Sequence, residues 1–275
     1  PDDYNPNLTG WTLSWADEFN NGDFETNPDY AGDTWDRLGR SAGNGEFQVY
    51  TEEEANSTEE DGYMVIKAEW TGNYTSARVI SNPGGSRGDD PAETGKAFKY
   101  GKIAARIQLP YGKAIWPAFW MLGTNISETG GDTPWPSCGE IDIAETGSIY
   151  SNDGEYGHRT TGHVLHFDGD VENIDRDHQF WHTAVTAPSG ELWGDQFHVF
   201  EIEWDESNIV FKIDDVVTST KPITAENMTE FHEYFYVIFN IAVGGGDFTY
   251  DPDGTAIFPQ YMFVDWIRYY EATTP

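Results

Sequence analysis

The chain has 275 residues, with 48 acidic and 15 basic side chains, and its formal net charge is −33. This charge argues against nucleic acid and anionic membranes as partners, because a phosphate backbone binds clustered lysine and arginine. The length suits one large all-β domain with an ample core, or two small domains.

Cys138 is the only cysteine, so no disulfide forms within the chain and stability must come from the core. We expect this thiol to be buried and inert rather than a nucleophile. Every apolar run is shorter than a membrane span. The chain opens with Pro-Asp-Asp and without a signal-peptide pattern. We expect a mature secreted form, located outside the cell or in the periplasm, with an intracellular protein as the alternative.

Short strand-like runs recur along the chain and are separated by Gly, Asn, Asp and Pro. In chain order they cover Tyr63–Ala68, Ile103–Gln108, Phe197–Trp204, Ile209–Asp214, Tyr236–Ile241 and Phe263–Tyr270. Residues 206–208 and 214–215 predict hairpin turns, and residues 224–231 form the one helical candidate. Many short strands with regular turns predict an all-β sandwich or barrel. No linker interrupts the pattern, so we predict a single domain over residues 1–275, with its core at about 8–271.

Three segments rich in turn residues, 82–95, 124–134 and 169–195, predict long loops. Loops on a rigid sandwich are the usual position of binding residues.

Aromatic side chains make up 15% of the chain, and three tryptophans lie close in sequence to a group of acids. Aromatic rings suit a sugar ligand, because the C–H faces of a sugar pack on them while the hydroxyls bind polar side chains. Trp116 and Trp120 precede the acids at a distance, and Trp135 stands just before them in a polar loop. Core packing is the alternative for Trp120, whereas a cleft position is favoured for Trp135.

The acids are Glu140, Asp142 and Glu145, separated by apolar residues. The two-residue period of a strand puts Glu140 and Asp142 on one face, and a one-residue bulge before Glu145 returns it to that face. Acids forced together have shifted pKa values, so one stays protonated while another is ionised. A chance cluster on a solvated edge is the alternative, but the apolar neighbours oppose it. Two such acids suit glycoside hydrolysis, either retaining or, at a wider carboxyl separation, inverting.

The stretch 140–145 resembles the E-I-D-I-x-E signature of family 16 glycoside hydrolases. Further segments similar to this family are 15–20, 44–50, 75–78, 100–102, 116–123, 240–245 and 264–270. Trp135-Pro136 is similar to the laminarinase branch, which cuts β-1,3-glucan.

The resemblance implies a β-jelly-roll sandwich of two antiparallel sheets, the concave one lining a substrate cleft. It also implies a retaining mechanism with Glu140 as nucleophile, Glu145 as acid and base, and Asp142 as a hydrogen-bond partner of the nucleophile. No cofactor takes part in the reaction, and a monomer is expected.

Further roles follow from matched positions. Trp116, Trp120 and Trp135 match positions beside the subsites on the non-reducing side of the cut, and Asn44, Glu46 and Arg78 match positions that bind sugar hydroxyls there. His166 matches a histidine near the acid/base, with an ordinary strand residue as the alternative. Glu18, the Gly62 carbonyl and Asp265 match ligands of a structural Ca²⁺, an ion that prefers such oxygens.

The chain departs from the family pattern at Gly246-Asp247-Phe248 and in the long segment 168–192. These departures leave the product-side subsites open. The expected function is therefore an endo-β-1,3-glucanase acting on laminarin-like glucan. The alternatives are a mixed-linkage β-1,3-1,4-glucanase, an agarase- or porphyranase-like galactanase, and a glucan-binding lectin without activity.

Overall fold

The computed structural model describes residues 8–22, 24, 35–41, 43–81, 96–147, 158–169, 178–246 and 248–273. Nearly all regular structure in these ranges is β-strand, which confirms the all-β prediction. No helix within these ranges has the length and apolar character needed to cross a membrane. The loop predicted at 82–95 lies outside the described residues.

The strands form two sheets. In chain order they are β1 (Trp11–Asp17), β2 (Trp35–Arg37), β3 (Arg40–Ser41), β4 (Val49–Tyr50), β5 (Ser57–Glu60), β6 (Tyr63–Trp70), β7 (Tyr74–Ser76), β8 (Arg78–Ser81), β9 (Ala97–Phe98), β10 (Gly101–Gln108), β11 (Ile115–Gly123), β12 (Glu140–Thr146), β13 (Thr160–Asp168), β14 (His178–Thr186), β15 (His198–Trp204), β16 (Asn208–Ile213), β17 (Val216–Pro222), β18 (Phe235–Val243) and β19 (Gln260–Ala272).

The larger sheet has the order β17-β16-β15-β10-β19-β6-β7-β4-β3, with β1 also paired to β19 and β5 to β6. The second sheet has the order β14-β13-β12-β11-β18-β8-β2, with β9 also paired to β18. Among the described strands, pairing is antiparallel except between β4 and β7. Strands from both ends of the described chain meet at β1 and β19, so one sandwich includes them both.

One continuous core lies between the sheets, because alternate side chains of each strand point to the same face. Phe119 on β11 stacks on its partner Phe239 on β18 at 4.8 Å between ring centroids. Ile141, Ile143 and Ala144 of β12 are all fully buried in this core. The opposite face of the second sheet lines a cleft of about 690 Å³.

Two local predictions are wrong. The segment 169–195 contains a nine-residue strand, β14, at the edge of the second sheet, paired with β13 alone. In this strand exposed and half-buried residues alternate, but such alternation is only weak evidence for a strand in a segment rich in turn residues. Residues 224–231 do not form an α-helix; only a 3-10 helix at Thr229–His232 is present.

The predicted hairpin turns are confirmed. Asp214 and Asp215 connect β16 to β17 with positive φ angles of 52° and 64°. Positive φ at both central residues is the geometry of the two-residue turn that matches strand twist, and aspartate tolerates it.

Candidate active site

Strand β12 carries the three acids on the cleft side, and a bulge makes this possible. Its pairing with β13 skips between Asp142 and Glu145, where two core residues, Ile143 and Ala144, follow one another. The extra residue restores the orientation of Glu145, as the sequence spacing predicted. Glu140, Asp142 and Glu145 all line the cleft.

Each outer acid accepts a hydrogen bond from an indole. Trp135 Nε1 donates to Glu140 Oε2 at 2.7 Å, and Trp116 Nε1 donates to Glu145 Oε1 at 2.9 Å. Asp142 between them is only 2% exposed. These two indoles fix the orientation of both outer carboxylates, and the Trp135 donor favours the ionised form of Glu140.

Burial raises the pKa of Glu140 to about 7, the repulsion from Glu145 adds to this, and the Trp135 hydrogen bond opposes it. Burial, followed by the charges of Glu140 and Glu145, raises the pKa of Asp142 well above its usual value. Asp142 is the more deeply buried of the two, so we assign the proton of this pair to Asp142. A protonated Asp142 donates to Glu140, and this hydrogen bond lowers the pKa of Glu140 and favours its ionised form.

One half of the cleft, on the β11, β18 and β8 side of the acids, is held by a polar network. Trp120 Nε1 donates to Asn240 Oδ1 at 2.7 Å, and Asn240 Nδ2 donates to the Tyr50 hydroxyl at 3.1 Å. The Tyr50 hydroxyl donates to Glu46 Oε2 at 3.4 Å, and Gln48 donates to the same oxygen at 2.6 Å. This network fixes the position of the cleft wall before any ligand binds.

Arg78 lies in the same half of the cleft and is almost fully buried. Its guanidinium pairs with Glu128 at 2.6 Å and lies over the Trp120 ring at 5.2 Å. The Tyr236 hydroxyl donates to the same carboxylate at 2.5 Å. Arg78 therefore supports the cleft wall, in addition to any contact it makes with a sugar.

Asn44 and Glu46 also line the cleft, with Asn44 Nδ2 donating to Glu46 Oε1 at 3.4 Å. Asn44 has a positive φ of 50°, a conformation that asparagine tolerates better than most residues. The structure thus brings all seven predicted substrate-binding residues to the cleft that holds the acids.

Two of the seven lie on the β13 and β14 side of the cleft. The Trp135 ring packs on His178 of β14 at 4.6 Å and on His166 of β13 at 5.6 Å, across β12 from Trp116 and Trp120. It therefore does not lie on the same side of the acids as they do. The cis Trp135-Pro136 peptide precedes this strand.

His166 is paired in register with Glu140, not with Glu145. Its Nε2 lies 3.6 Å from Asp142 Oδ2 and 3.9 Å from Glu140 Oε1. Burial, with a contribution from His178, lowers the pKa of His166 to about 4, so the ring is neutral at pH 7. His166 therefore adjoins the nucleophile candidate and Asp142, and its place near the acid/base stays a prediction.

Several cleft residues were missed by the sequence reasoning. They are Tyr50, Glu128, His178, Phe180, His182, Asn240 and Phe248. Phe248 stacks on Trp116 at 4.2 Å with 19° between the rings. It stands in the segment where the family pattern changes, which was the available signal.

Cys138 is fully buried, and burial raises the pKa of its thiol to about 12. It is therefore not activated as a nucleophile.

The two carboxylates among the three predicted calcium ligands are engaged in ion pairs. Glu18 accepts two hydrogen bonds from Arg268, at 2.7 and 2.9 Å, and Asp265 accepts one from Arg106 at 2.5 Å. Each carboxylate is neutralised by an arginine, so this arrangement does not suit a cation. Among the described residues, the one group of three acidic or histidine side chains close enough to share an ion is Glu140, Asp142 and His166, in the cleft.

Comparisons with known proteins agree along almost the whole chain. A profile described as "Glycosyl hydrolases family 16" matches residues 44–262. A protein of Cryptopygus antarcticus named "Glucan endo-1,3-beta-glucosidase" is 34% identical over 268 residues, covering 88% of this chain and 84% of that protein.

Solved structures are similar as well. The catalytic domain of an endo-1,3-beta-glucanase (laminarinase) from Thermotoga petrophila RKU-1 is 33% identical with a TM-score of 0.73, covering 96% of this chain and 99% of that chain. A protein from Z. galactanivorans, solved in complex with laminaritriose and laminaritetraose, is 28% identical with a TM-score of 0.74, covering 94% and 99%.

Proposed function

The chain belongs to glycosyl hydrolase family 16, and we propose that it is an endo-β-1,3-glucanase that cuts laminarin-type glucan with retention of configuration. The observation that carries this proposal is the set of three carboxylates on one strand face, with an indole N–H on each outer one. A protein that only binds glucan does not need such a matched pair of acids.

The proposed reaction has two displacements. In the first, a Glu140 oxygen bonds to the anomeric carbon, the glycosidic C–O bond breaks, and Glu145 gives its proton to the leaving oxygen. In the second, Glu145 takes a proton from water, the water oxygen bonds to the anomeric carbon, and the bond to Glu140 breaks. Asp142 donates a hydrogen bond to Glu140 and holds the shared proton away from the attacking oxygen.

Internal cutting is supported by the extent of the cleft. Its lining residues come from six neighbouring strands, from β8 at one end to β14 at the other. Five interstrand spacings of about 4.8 Å put its ends roughly 24 Å apart. The acids on β12 lie inside this span, so sugars have room on both sides of the cut.

The rival substrates differ in charge and linkage. Arg78 is the only lysine or arginine among the described cleft residues, and Glu128 neutralises it. A sulfated galactan such as porphyran would find no free cation there, which disfavours a porphyranase-like activity. A mixed-linkage β-1,3-1,4-glucan is neutral and stays the main enzymatic alternative.

A reducing-sugar assay on laminarin, lichenan, agarose and porphyran separates these proposals. We expect the highest kcat/KM on laminarin, with oligosaccharides of several lengths as early products. Preferred cleavage of lichenan would replace the β-1,3 assignment with mixed-linkage activity. If no reducing sugar is released from any of the four polymers, the protein is a glucan-binding protein and not a hydrolase. Glu140→Gln should bind laminari-oligosaccharides yet lose nearly all turnover; a variant that kept substantial kcat would refute Glu140 as the nucleophile.

We further propose that the enzyme acts outside the cytoplasm, because a polysaccharide must be cut before its pieces can be taken up, and that it acts as a monomer. The structural calcium on Glu18, Gly62 and Asp265 stays a prediction, and the arginine pairs count against it. Thermal unfolding with excess calcium and with EDTA tests it. Equal melting temperatures would rule out a stabilising ion.

A further inference from the structure

Strand β14 exposes an aromatic ring inside the cleft. Phe180 is 59% exposed and belongs to the cleft lining, whereas most phenylalanines of the described chain are buried in the core. It lies on the edge strand of the second sheet, and its side chain contributes little to the packing between the sheets. A large apolar side chain kept exposed in a binding cleft indicates a ligand-contacting surface.

Imidazoles stand on both sides of this ring. His178 and His182 lie two residues before and after Phe180, with centroid distances of 5.9 and 5.8 Å. The His166 ring is 6.2 Å from the Phe180 ring and lies between it and the acids, so the four side chains form a row. The two-residue strand period places these three β14 side chains on one face.

The chemistry of this row fits a neutral sugar. An apolar ring offers a surface for the C–H face of a pyranose, and imidazole nitrogens donate to and accept from hydroxyl groups. No lysine, arginine or carboxylate of β14 interrupts the row, since the strand sequence is His-Gln-Phe-Trp-His-Thr-Ala-Val-Thr.

The two halves of the cleft differ in how strongly their side chains are held in place by other residues. The half on β11, β18 and β8 has buried Arg78 and the Trp120–Asn240–Tyr50 chain of hydrogen bonds. The β14 half lies at a sheet edge and exposes its side chains. In a double displacement the glycone stays bound through both steps, while the leaving sugar must depart and water must enter. The rigid half therefore suits the glycone, and the exposed half suits the leaving sugar.

We propose that Phe180, flanked by His178 and His182, is the stacking platform for the glucosyl units of the leaving-group side. This proposal rests on the function proposed above and extends it by a binding surface in the segment that departs from the family pattern. The platform binds one neutral hexose ring of the departing chain, and in the reverse sense it binds a sugar acceptor during transglycosylation.

The test compares a substrate that has sugar units beyond the cut with one that has none. Laminaripentaose leaves a sugar chain behind, whereas β-laminaribiosyl fluoride releases a single fluoride ion and needs no platform. In Phe180→Ala we expect kcat/KM for laminaripentaose to fall about five- to tenfold, the size of one aromatic stacking contact. The fluoride substrate should be hydrolysed at the rate of the unaltered enzyme, because its glycone contacts are intact.

Two further variants make the comparison specific. Phe180→Tyr keeps the ring and should retain activity on both substrates. Tyr261→Ala removes an aromatic ring that is 40% exposed on the other sheet, and it should leave kcat/KM unchanged for both substrates. Transfer from the fluoride to added laminaribiose should decrease in Phe180→Ala, since the acceptor uses the same platform.

The outcomes separate this proposal from the one it rests on. If the unaltered enzyme cuts neither substrate, the proposed function fails. If it cuts both substrates and Phe180→Ala lowers kcat/KM equally for the two, Phe180 contacts the glycone and the leaving-group assignment is refuted. If Phe180→Ala changes neither rate nor transfer, the platform itself is refuted.

Discussion

The hydrogen bond from Trp135 to Glu140 gives a prediction about pH. In Trp135→Phe the aromatic ring stays on His166 and His178, but the indole N–H, 2.7 Å from Glu140 Oε2, is removed. The lost donor stabilises the ionised carboxylate, so its removal raises the pKa of Glu140 above the present value of about 7.

The magnitude follows from hydrogen-bond energetics. A bond to a charged group contributes about 1.5–3 kcal/mol. Trp135 is 39% exposed, and water replaces part of the lost bond, so we take the lower end. At about 1.4 kcal/mol per pH unit, the pKa of Glu140 rises by roughly one unit.

The assay is the pH dependence of kcat/KM, which reports the ionisation of the free enzyme. The nucleophile must be ionised, so the acid limb should move to higher pH by about one unit. Activity at pH 6 should then fall close to tenfold, and activity at pH 9 should change little. The alkaline limb should keep its position, because it reports the acid that protonates the leaving oxygen.

A matched control is Trp116→Phe, which removes the equivalent indole donor from Glu145 and should leave the acid limb in place. A lost sugar contact would lower kcat/KM by the same factor at every pH. An unmoved acid limb in Trp135→Phe, or a shift to lower pH, would therefore refute the assigned role of this hydrogen bond.

Two other substitutions test the walls of the cleft. Glu128→Gln leaves the Arg78 guanidinium buried without its charge partner, so the free energy of unfolding should fall by about 3 kcal/mol in urea titrations. Its control is Glu69→Gln at a half-exposed surface pair, where a loss above about 1 kcal/mol would contradict the reasoning from burial. Phe248→Ala removes the ring stacked on Trp116, so kcat/KM on laminari-oligosaccharides should fall about threefold to tenfold with little loss of stability. An unchanged kcat/KM would mean that Trp116 is held without Phe248.

The prediction from sequence was strongest where a local pattern is sufficient. The spacing of Glu140, Asp142 and Glu145 requires a bulge if all three acids share a face, and the bulge is present in the pairing of β12 with β13. The long strands β6, β10, β15, β16, β18 and β19 follow from runs of β-branched and aromatic residues between turns. These features depend only on residues that are close together along the chain, so the sequence alone is sufficient to predict them.

The edge strand β14 shows where local reasoning stopped. Its exposed and half-buried residues alternate, but it lies between turn-rich segments, and the sequence therefore predicted a loop. Pairing with β13 makes it a strand. Its partner β13 is the preceding strand, but the nine residues between the two strands exceed the short turns that give a local hairpin signal.

By itself, the sequence determined the acids, their bulge and the tryptophans around them, because a strand period and a family signature are properties of consecutive residues. Only the tertiary structure decided which side chains meet across strands. It placed His166 beside Glu140, moved Trp135 to the β14 side of the acids, and stacked Phe248 on Trp116. The physical reason is register: each contact depends on which residues face one another across sheets, and that alignment is fixed when the whole core packs.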